Sequence, residues 1–423
     1  MAAGRFPGAW TVWHSGATPA DREDVPVRES DPERELDIVL FGATGFTGGL
    51  TADYLASHAP PGCRWALAGR SPDRLAAVRD RLAAVDPALA ELPLLHADVT
   101  DPGSLADVAA RGRVVITTVG PYVQHGEPLV AACARAGTDY VDLTGEPEFV
   151  DRMYVEHHAE AVRSGARIVH ACGFDSIPHD LGALFTVQQL PEGVAIRVRG
   201  MVRGNGAVSG GTLASALTAL SRPGHMRRAA VQRRRIEPRP VGRRVRLRAR
   251  RPHHDDQAGF WLVSLPTIDP FVVRRSAMAL DRYGPDFTYS HYAAVRRLPV
   301  LVGGVAAVAL LAAGAQVPPV RRFLMSRVPL GEGPSEERRA RSCFSVRFVG
   351  EGGGRTVHTE VRGGDPGYTE TSKMLAESAM CLAFDDNPPT AGQVTTATAM
   401  GDRLLDRLVA AGIMFEVRSS TDA

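Results

Sequence analysis

The run DIVLFGATGFTGGLTADYLA, residues 37–56, constrains this chain more than any other feature. A short apolar run enters a glycine-rich turn, and Leu50, Tyr54 and Leu55 then recur at helical spacing, so the segment reads as strand, turn and helix. The same alternation continues through RWALAGR, SPDRLAAVRDRLAAV, PLLHADV, DPGSLADVAA and RVVITTVG, and on to ARIVHACGF near Phe174. Repeated strand and helix units predict an α/β fold with a Rossmann-type, doubly wound parallel sheet.

At 423 residues the chain is too long for one core. Residues 1–34 mix Pro, Gly and charge without an apolar core and read as a disordered leader, not a secretory signal. Residues 35–175 form the predicted Rossmann domain. From 176 to 365 shorter alternating segments such as AIRVRGMV and SCFSVRFVG predict a second, α+β domain. Residues 366–415 read as C-terminal helices packing back on the first domain, and 416–423 as an unstructured tail.

The turn Gly42-Ala43-Thr44-Gly45-Phe46-Thr47-Gly48 has the spacing GxxGxxG. Its glycines permit a tight turn, close approach of a pyrophosphate and close helix packing, with the helix N-terminus aimed at the phosphates. A purely structural turn is the competing reading. The second strand ends at Arg70 and Ser71, where an NAD site places a carboxylate; a guanidinium there suits the 2′-phosphate of NADP unless it is simply a solvated charge. Asp98 and Val99 close the third strand and either flank adenine or cap a turn. Gly120 and Pro121 end the fourth strand, where ligands cross an open sheet, or make an ordinary turn.

The motifs GATGFTG, AGRSPDRL, TTVGPYVQHGEPLVAACARAGTDYVDLTGE, GFDSIPHDLG, SGGT and GDPGYTETSKMLAESAMCLA resemble, in order, those of the saccharopine dehydrogenase-like family over roughly residues 36–415. Within it the chain is most similar to the trans-acting enoyl reductase subfamily, associated with reducing double bonds in acyl chains carried by polyketide synthases of lipid biosynthesis. The resemblance implies an NADP-dependent oxidoreductase with Gly42–Gly48 as the dinucleotide loop and Arg70 as the arginine after the second strand. It places Tyr122 and His125 beside the nicotinamide and Asp175 at the hinge into the substrate domain. A saccharopine-type amino-acid dehydrogenase and an inactive lipid-associated protein retaining the Rossmann domain are the alternatives.

Enoyl reduction needs hydride delivery, stabilisation of an enolate oxygen and a proton at the α-carbon. Tyr122, His125, Asp175 and His179 are the candidates for the last two. A core tyrosine with a satisfied hydroxyl is an equal reading of Tyr122, and surface or capping roles compete for His125 and His179. The Tyr–Lys couple of short-chain dehydrogenases is absent: the sole lysine, Lys373, follows Thr369 at that spacing. No HExxH or paired CxxC predicts a metal, and His157 and His158 are adjacent, hence on different helix faces. Ser209-Gly210-Gly211-Thr212 reads as a helix N-terminus that either caps or receives an anion.

Five scattered cysteines, Cys63, Cys133, Cys172, Cys343 and Cys381, fit a reducing cytoplasm. Net charge is only +2, yet residues 227–251 hold twelve arginines against Glu237, a basic stripe that is a solvated face or a docking surface for an acidic acyl-carrier domain. Without aromatic interleaving or a recognised fold signature, nucleic acid is a poor fit. The uncharged run VLVGGVAAVALLAAGA, residues 300–315, is shorter than the ~20 residues that span a bilayer. It reads first as a buried core helix, then as an acyl-tail surface or a peripheral contact with the inner face of the plasma membrane.

Overall fold

The computed structural model describes residues 34–206, 210–256, 258–265, 267–327 and 333–422. Its strands, in chain order, are β1 (Leu36–Phe41), β2 (Trp65–Gly69), β3 (Leu94–His96), β4 (Gly112–Thr117), β5 (Asp139–Asp142), β6 (Arg167–Val169), β7 (Ile196–Gly204), β8 (Arg244–Leu247), β9 (His253–Asp255), β10 (Phe260–Ser264), β11 (Asp286–Val295), β12 (Phe344–Gly352), β13 (Arg355–Gly363), β14 (Gly392–Val394) and β15 (Met414–Asp422).

The first sheet has the order β14-β6-β5-β4-β1-β2-β3, parallel throughout. Strand order reverses between β1 and β4, and an open α/β sheet binds its ligand at such a switch point. The continuous apolar run of β1 follows from helices on both faces. Ile38, Leu40, Leu67, Val114 and Ile116 face the core shared with helix Thr369–Phe384, while Val39, Phe41, Ala66, Ala68 and Val115 face helices Pro102–Arg111 and Glu127–Ala136. The period-two alternation of side chains thus divides one strand between two cores.

The second sheet is mixed, ordered β15-β13-β12-β7-β11-β10-β9, with β8 also paired to β11. Two strands, one in each sheet, lie outside the boundaries read from sequence. The segment 366–415 contains β14, which extends the first sheet beside β6, as well as helices. The tail expected to be unstructured is instead β15, antiparallel to β13. Glu360 on β13 accepts hydrogen bonds from Ser345 and from Arg418 Nε at 2.7 Å, so a polar strand is held by a buried carboxylate that local hydropathy does not reveal.

The apolar run is also corrected: it forms a 19-residue helix, Leu298–Gln316, in which only Leu301 and Ala315 are buried. Composition there matches a core helix, but among the described residues only one edge of it is covered. Within the basic stripe, Arg233 turns inward to Asp151 and Glu237 and lies over the Tyr154 ring, whereas Arg234, Arg235 and Arg239 are exposed. Of the expected leader only Arg34 is described; its guanidinium donates to Ala109 O at 2.7 Å and to Ala136 O at 2.5 Å, which ties it to the first domain. Residues 1–33, and Ser209 of the SGGT motif, lie outside the described residues.

Candidate active site

The glycine loop leaves β1 at the switch point and enters helix Phe46–His58. Gly42 has φ +94°, favourable only for glycine, and a Cβ on it would meet Thr118 Oγ1 at 2.6 Å. A Cβ on Gly48 would lie 2.1 Å from the Gly42 carbonyl oxygen. Gly45 is exposed and fills the helix N-cap with no side-chain cap, and the first turn holds no acidic residue. The first backbone N–H groups are therefore left to an external acceptor, and the helix dipole favours an anion there.

Arg70 is exposed at the end of β2 and makes no hydrogen bond or ion pair to another described residue. Ser71 caps the next helix, accepting from Arg74 N. The Arg74 guanidinium in turn donates to Thr44 O at 3.1 Å, which brings a second arginine over the glycine loop. Its sequence signal was only its place one turn after Arg70. Asp98 folds into a local turn, accepting from Thr100 N and Oγ1 at 2.8 Å, and these bonds hold its carboxyl below the ordinary range. Val99 is half-buried beside the β4-side core. An uncapped helix start, close-packed glycines and two exposed arginines fit a dinucleotide phosphate chain.

Tyr122 is a core residue. Its hydroxyl donates to Thr117 O at 3.1 Å and accepts from Leu143 N at 3.2 Å, and burial pushes the phenol well above its usual range. The proton-donor reading of Tyr122 fails because both hydrogen-bonding directions are spent on backbone. Gly120, exposed, and Pro121, half-buried, lead into the short helix Tyr122–His125, and His125 stands half-buried at its end. Sequence reasoning missed Glu146, whose Oε1 accepts from Tyr122 N at 3.1 Å and Ser215 Oγ at 2.7 Å, while Oε2 accepts from Val123 N at 2.7 Å. One buried carboxylate thereby ties the loop after β4 to a helix of the second domain.

Asp175 lies against the loop after β5, its Oδ2 3.3 Å from where a Cβ on Gly145 would stand. Behind it, His179 Nδ1 is 2.8 Å from Asp269 Oδ1, and His291 Nε2 is 3.7 Å from Asp269 Oδ2. These three come from helix Ile177–Gln188, helix Asp269–Ala279 and β11, so the cluster forms where the two sheets' layers meet. His179 Nε2 and His291 Nε2 are buried without a hydrogen-bond partner. Burial, then the charge of Asp269, pushes the Asp175 carboxyl up to about 6. Burial also pushes His291 down to about 4, while the flanking histidines outweigh burial at Asp269 and hold its carboxyl below the ordinary range. Asp269 and His291 carried no local signal, being about 90 and 110 residues from His179. His157 meets Glu127 and His158 accepts from Gln393 N, so the adjacent pair serves two separate contacts. A cavity of about 340 Å³ between Tyr154, His170, Arg275 and Gln393 stands apart from the glycine loop and shares no residue with it.

The description saccharopine dehydrogenase NADP binding domain matches residues 38–169, the span of β1 to β6. A Mycobacterium tuberculosis relative is 41% identical over 414 residues, covering 90% of this chain and 97% of its own. A protein named trans-acting enoyl reductase from Mycobacterium bovis is 38% identical over 421 residues, covering 91% and 98%. The chain belongs to the trans-acting enoyl reductases of the saccharopine dehydrogenase-like family. Saccharopine dehydrogenase (L-Glu forming) from Saccharomyces cerevisiae shares the fold, with a TM-score of 0.54 at 13% identity over 91% of this chain and 100% of that one. This reductase is accordingly an oxidoreductase built on an NADP-binding domain, and the glycine loop and Arg70 fall inside the matched span.

Proposed function

We propose that this reductase uses NADPH to saturate the enoyl double bond of an acyl chain presented as a thioester on an acidic carrier domain in the cytoplasm. The observation that carries the reading is the Asp175–His179–Asp269–His291 cluster, whose Asp175 lies against Gly145 in the loop after β5 while the other three stand buried behind it. NADPH supplies the hydride. Gly42, Gly45 and Gly48 let backbone approach the pyrophosphate, and Arg70 with Arg74 engages the 2′-phosphate. Asp175, half-buried and holding a proton to about pH 6, delivers it to the α-carbon. His179, buried with its Nδ1 2.8 Å from Asp269 Oδ1, stands behind Asp175 as part of the same polar cluster. The exposed arginines of residues 227–251 supply a surface of the right sign for an acidic carrier.

The test follows NADPH oxidation with a 2-enoyl thioester, with a 2-oxo acid plus ammonium, and with no acceptor. Turnover of the thioester alone is expected. Turnover of the oxo acid alone would move the reading to an amino-acid dehydrogenase, and binding of NADPH without turnover of any acceptor would favour the inactive lipid-associated protein.

A further inference from the structure

The helix Leu298–Gln316 presents an apolar surface that the described residues leave exposed. Val300 is 62% exposed, Val302 57%, Val308 55% and Leu310 74%, and no charged residue interrupts the 19 positions. One edge is accounted for: Leu311, with Leu324 of the following helix Pro318–Ser326, packs on Ala214 and Leu217 of helix Gly210–Ser221. On the exposed sides, residues 302–310 read V-G-G-V-A-A-V-A-L, so every face is apolar. A second copy of the chain would need only a stripe with a polar rim, whereas a uniformly apolar helix suits a continuous apolar medium.

Charge indicates which medium. Arg296 and Arg297 are exposed immediately before the helix, and Arg322 is exposed and Arg321 half-buried just after it, beside exposed Val320 and Phe323. Arginines at both ends of an apolar surface match anionic headgroups around a hydrocarbon boundary. Connectivity decides the mode of binding. At ~1.5 Å per residue the helix measures ~28 Å, long enough to cross the ~30 Å hydrocarbon layer. Yet β11 before it and β12 after it belong to one sheet, and the nine-residue helix Pro318–Ser326 reaches only ~14 Å back. Crossing would place the two ends of one sheet on opposite sides of the membrane.

We infer that Leu298–Gln316, with Phe323 and Val320 beside it, is a monotopic docking element that lies in the surface of an anionic bilayer. The element holds the second domain against the membrane. The inference is independent of the reaction assigned to the cluster.

The experiment is flotation of the full chain with vesicles of phosphatidylcholine alone and of phosphatidylcholine containing one-third phosphatidylglycerol. The bound fraction is expected to rise several-fold with phosphatidylglycerol, to fall at least tenfold in V305D/L310D, and to lose its lipid preference in R296Q/R297Q/R322Q. Both positions of the first variant are exposed, so NADPH binding is expected to stay intact and serves as the folding control. Failure of the wild type to float with either vesicle overturns the inference, as does flotation of V305D/L310D equal to wild type. A lipid-free dimer that V305D/L310D converts to monomer, measured by light scattering, also overturns it in favour of a second copy. Loss of enoyl reduction with flotation retained would instead count against the proposed reaction.

Discussion

Gly48 packs so closely over Gly42 that a β-carbon on the first would stand 2.1 Å from the carbonyl oxygen of the second. The contact joins the start of the first helix to the end of β1 and leaves no space for any side chain. In G48A the loop must move by more than an ångström, out of the position that approaches a pyrophosphate. NADPH affinity is expected to fall at least tenfold while the far-UV circular dichroism of the sheet persists; nicotinamide fluorescence titration measures it.

Arg70 is expected to carry cofactor discrimination because it is exposed and makes no hydrogen bond or ion pair to another described residue. A charge-assisted contact with a phosphate contributes about 2 kcal/mol, so R70A should weaken NADPH about 30-fold. NADH, which lacks the 2′-phosphate, should bind the variant and the wild type alike. Parallel titrations check both, and equal loss for the two cofactors would show that Arg70 supports the fold of the loop rather than reads the phosphate.

Asp175 gives the reaction its pH dependence. Because the protonated form is the active one, kcat should decline as pH rises through about 6. The corresponding stability effect has the same sign: a carboxyl raised in the folded state costs stability once pH exceeds its unfolded value, near 3.8, and increasingly toward 6. D175N should lower kcat by about 100-fold and abolish the pH limb, leaving NADPH affinity unchanged. A pH–rate profile that keeps its limb in D175N would move the proton donor elsewhere.

Tyr122 is expected to behave as a structural residue. Y122F removes the bonds to Thr117 O and Leu143 N and leaves two buried backbone groups unpaired, a cost of about 1–3 kcal/mol read as a lowered urea midpoint. Its kcat should stay within about twofold of wild type, since the phenol faces backbone on both sides and the 5% exposed ring offers no approach to substrate.

Glu360 anchors β15. Burial alone would raise its carboxyl, but hydrogen bonds from Ser345, Arg347 and Arg418 outweigh this and hold it at about 2, below its ordinary 4.5. A depressed carboxylate contributes stability that is full above the unfolded value and is lost as pH falls through 4.5 toward 2. Urea midpoints measured from pH 6 to pH 3 should therefore fall more steeply for the wild type than for E360Q.

What the sequence determined by itself is what local periodicity and spacing encode. The β1–turn–helix unit, the repeated α/β pattern, the glycine loop and Arg70 were legible because each is contained within a few residues of itself. Tertiary structure decided the rest. Asp269 and His291 join His179 only because a helix and β11 of the second domain fold back over the exit from the first. The phenol of Tyr122 was equally compatible with catalysis and core until Thr117 and Leu143 were seen to occupy it. β14 and β15 are short or polar, and only pairing with β6 and β13 makes them strands. The apolar helix Leu298–Gln316 shows the same limit, because hydropathy reports how readily a segment leaves water but not whether protein or something else receives it.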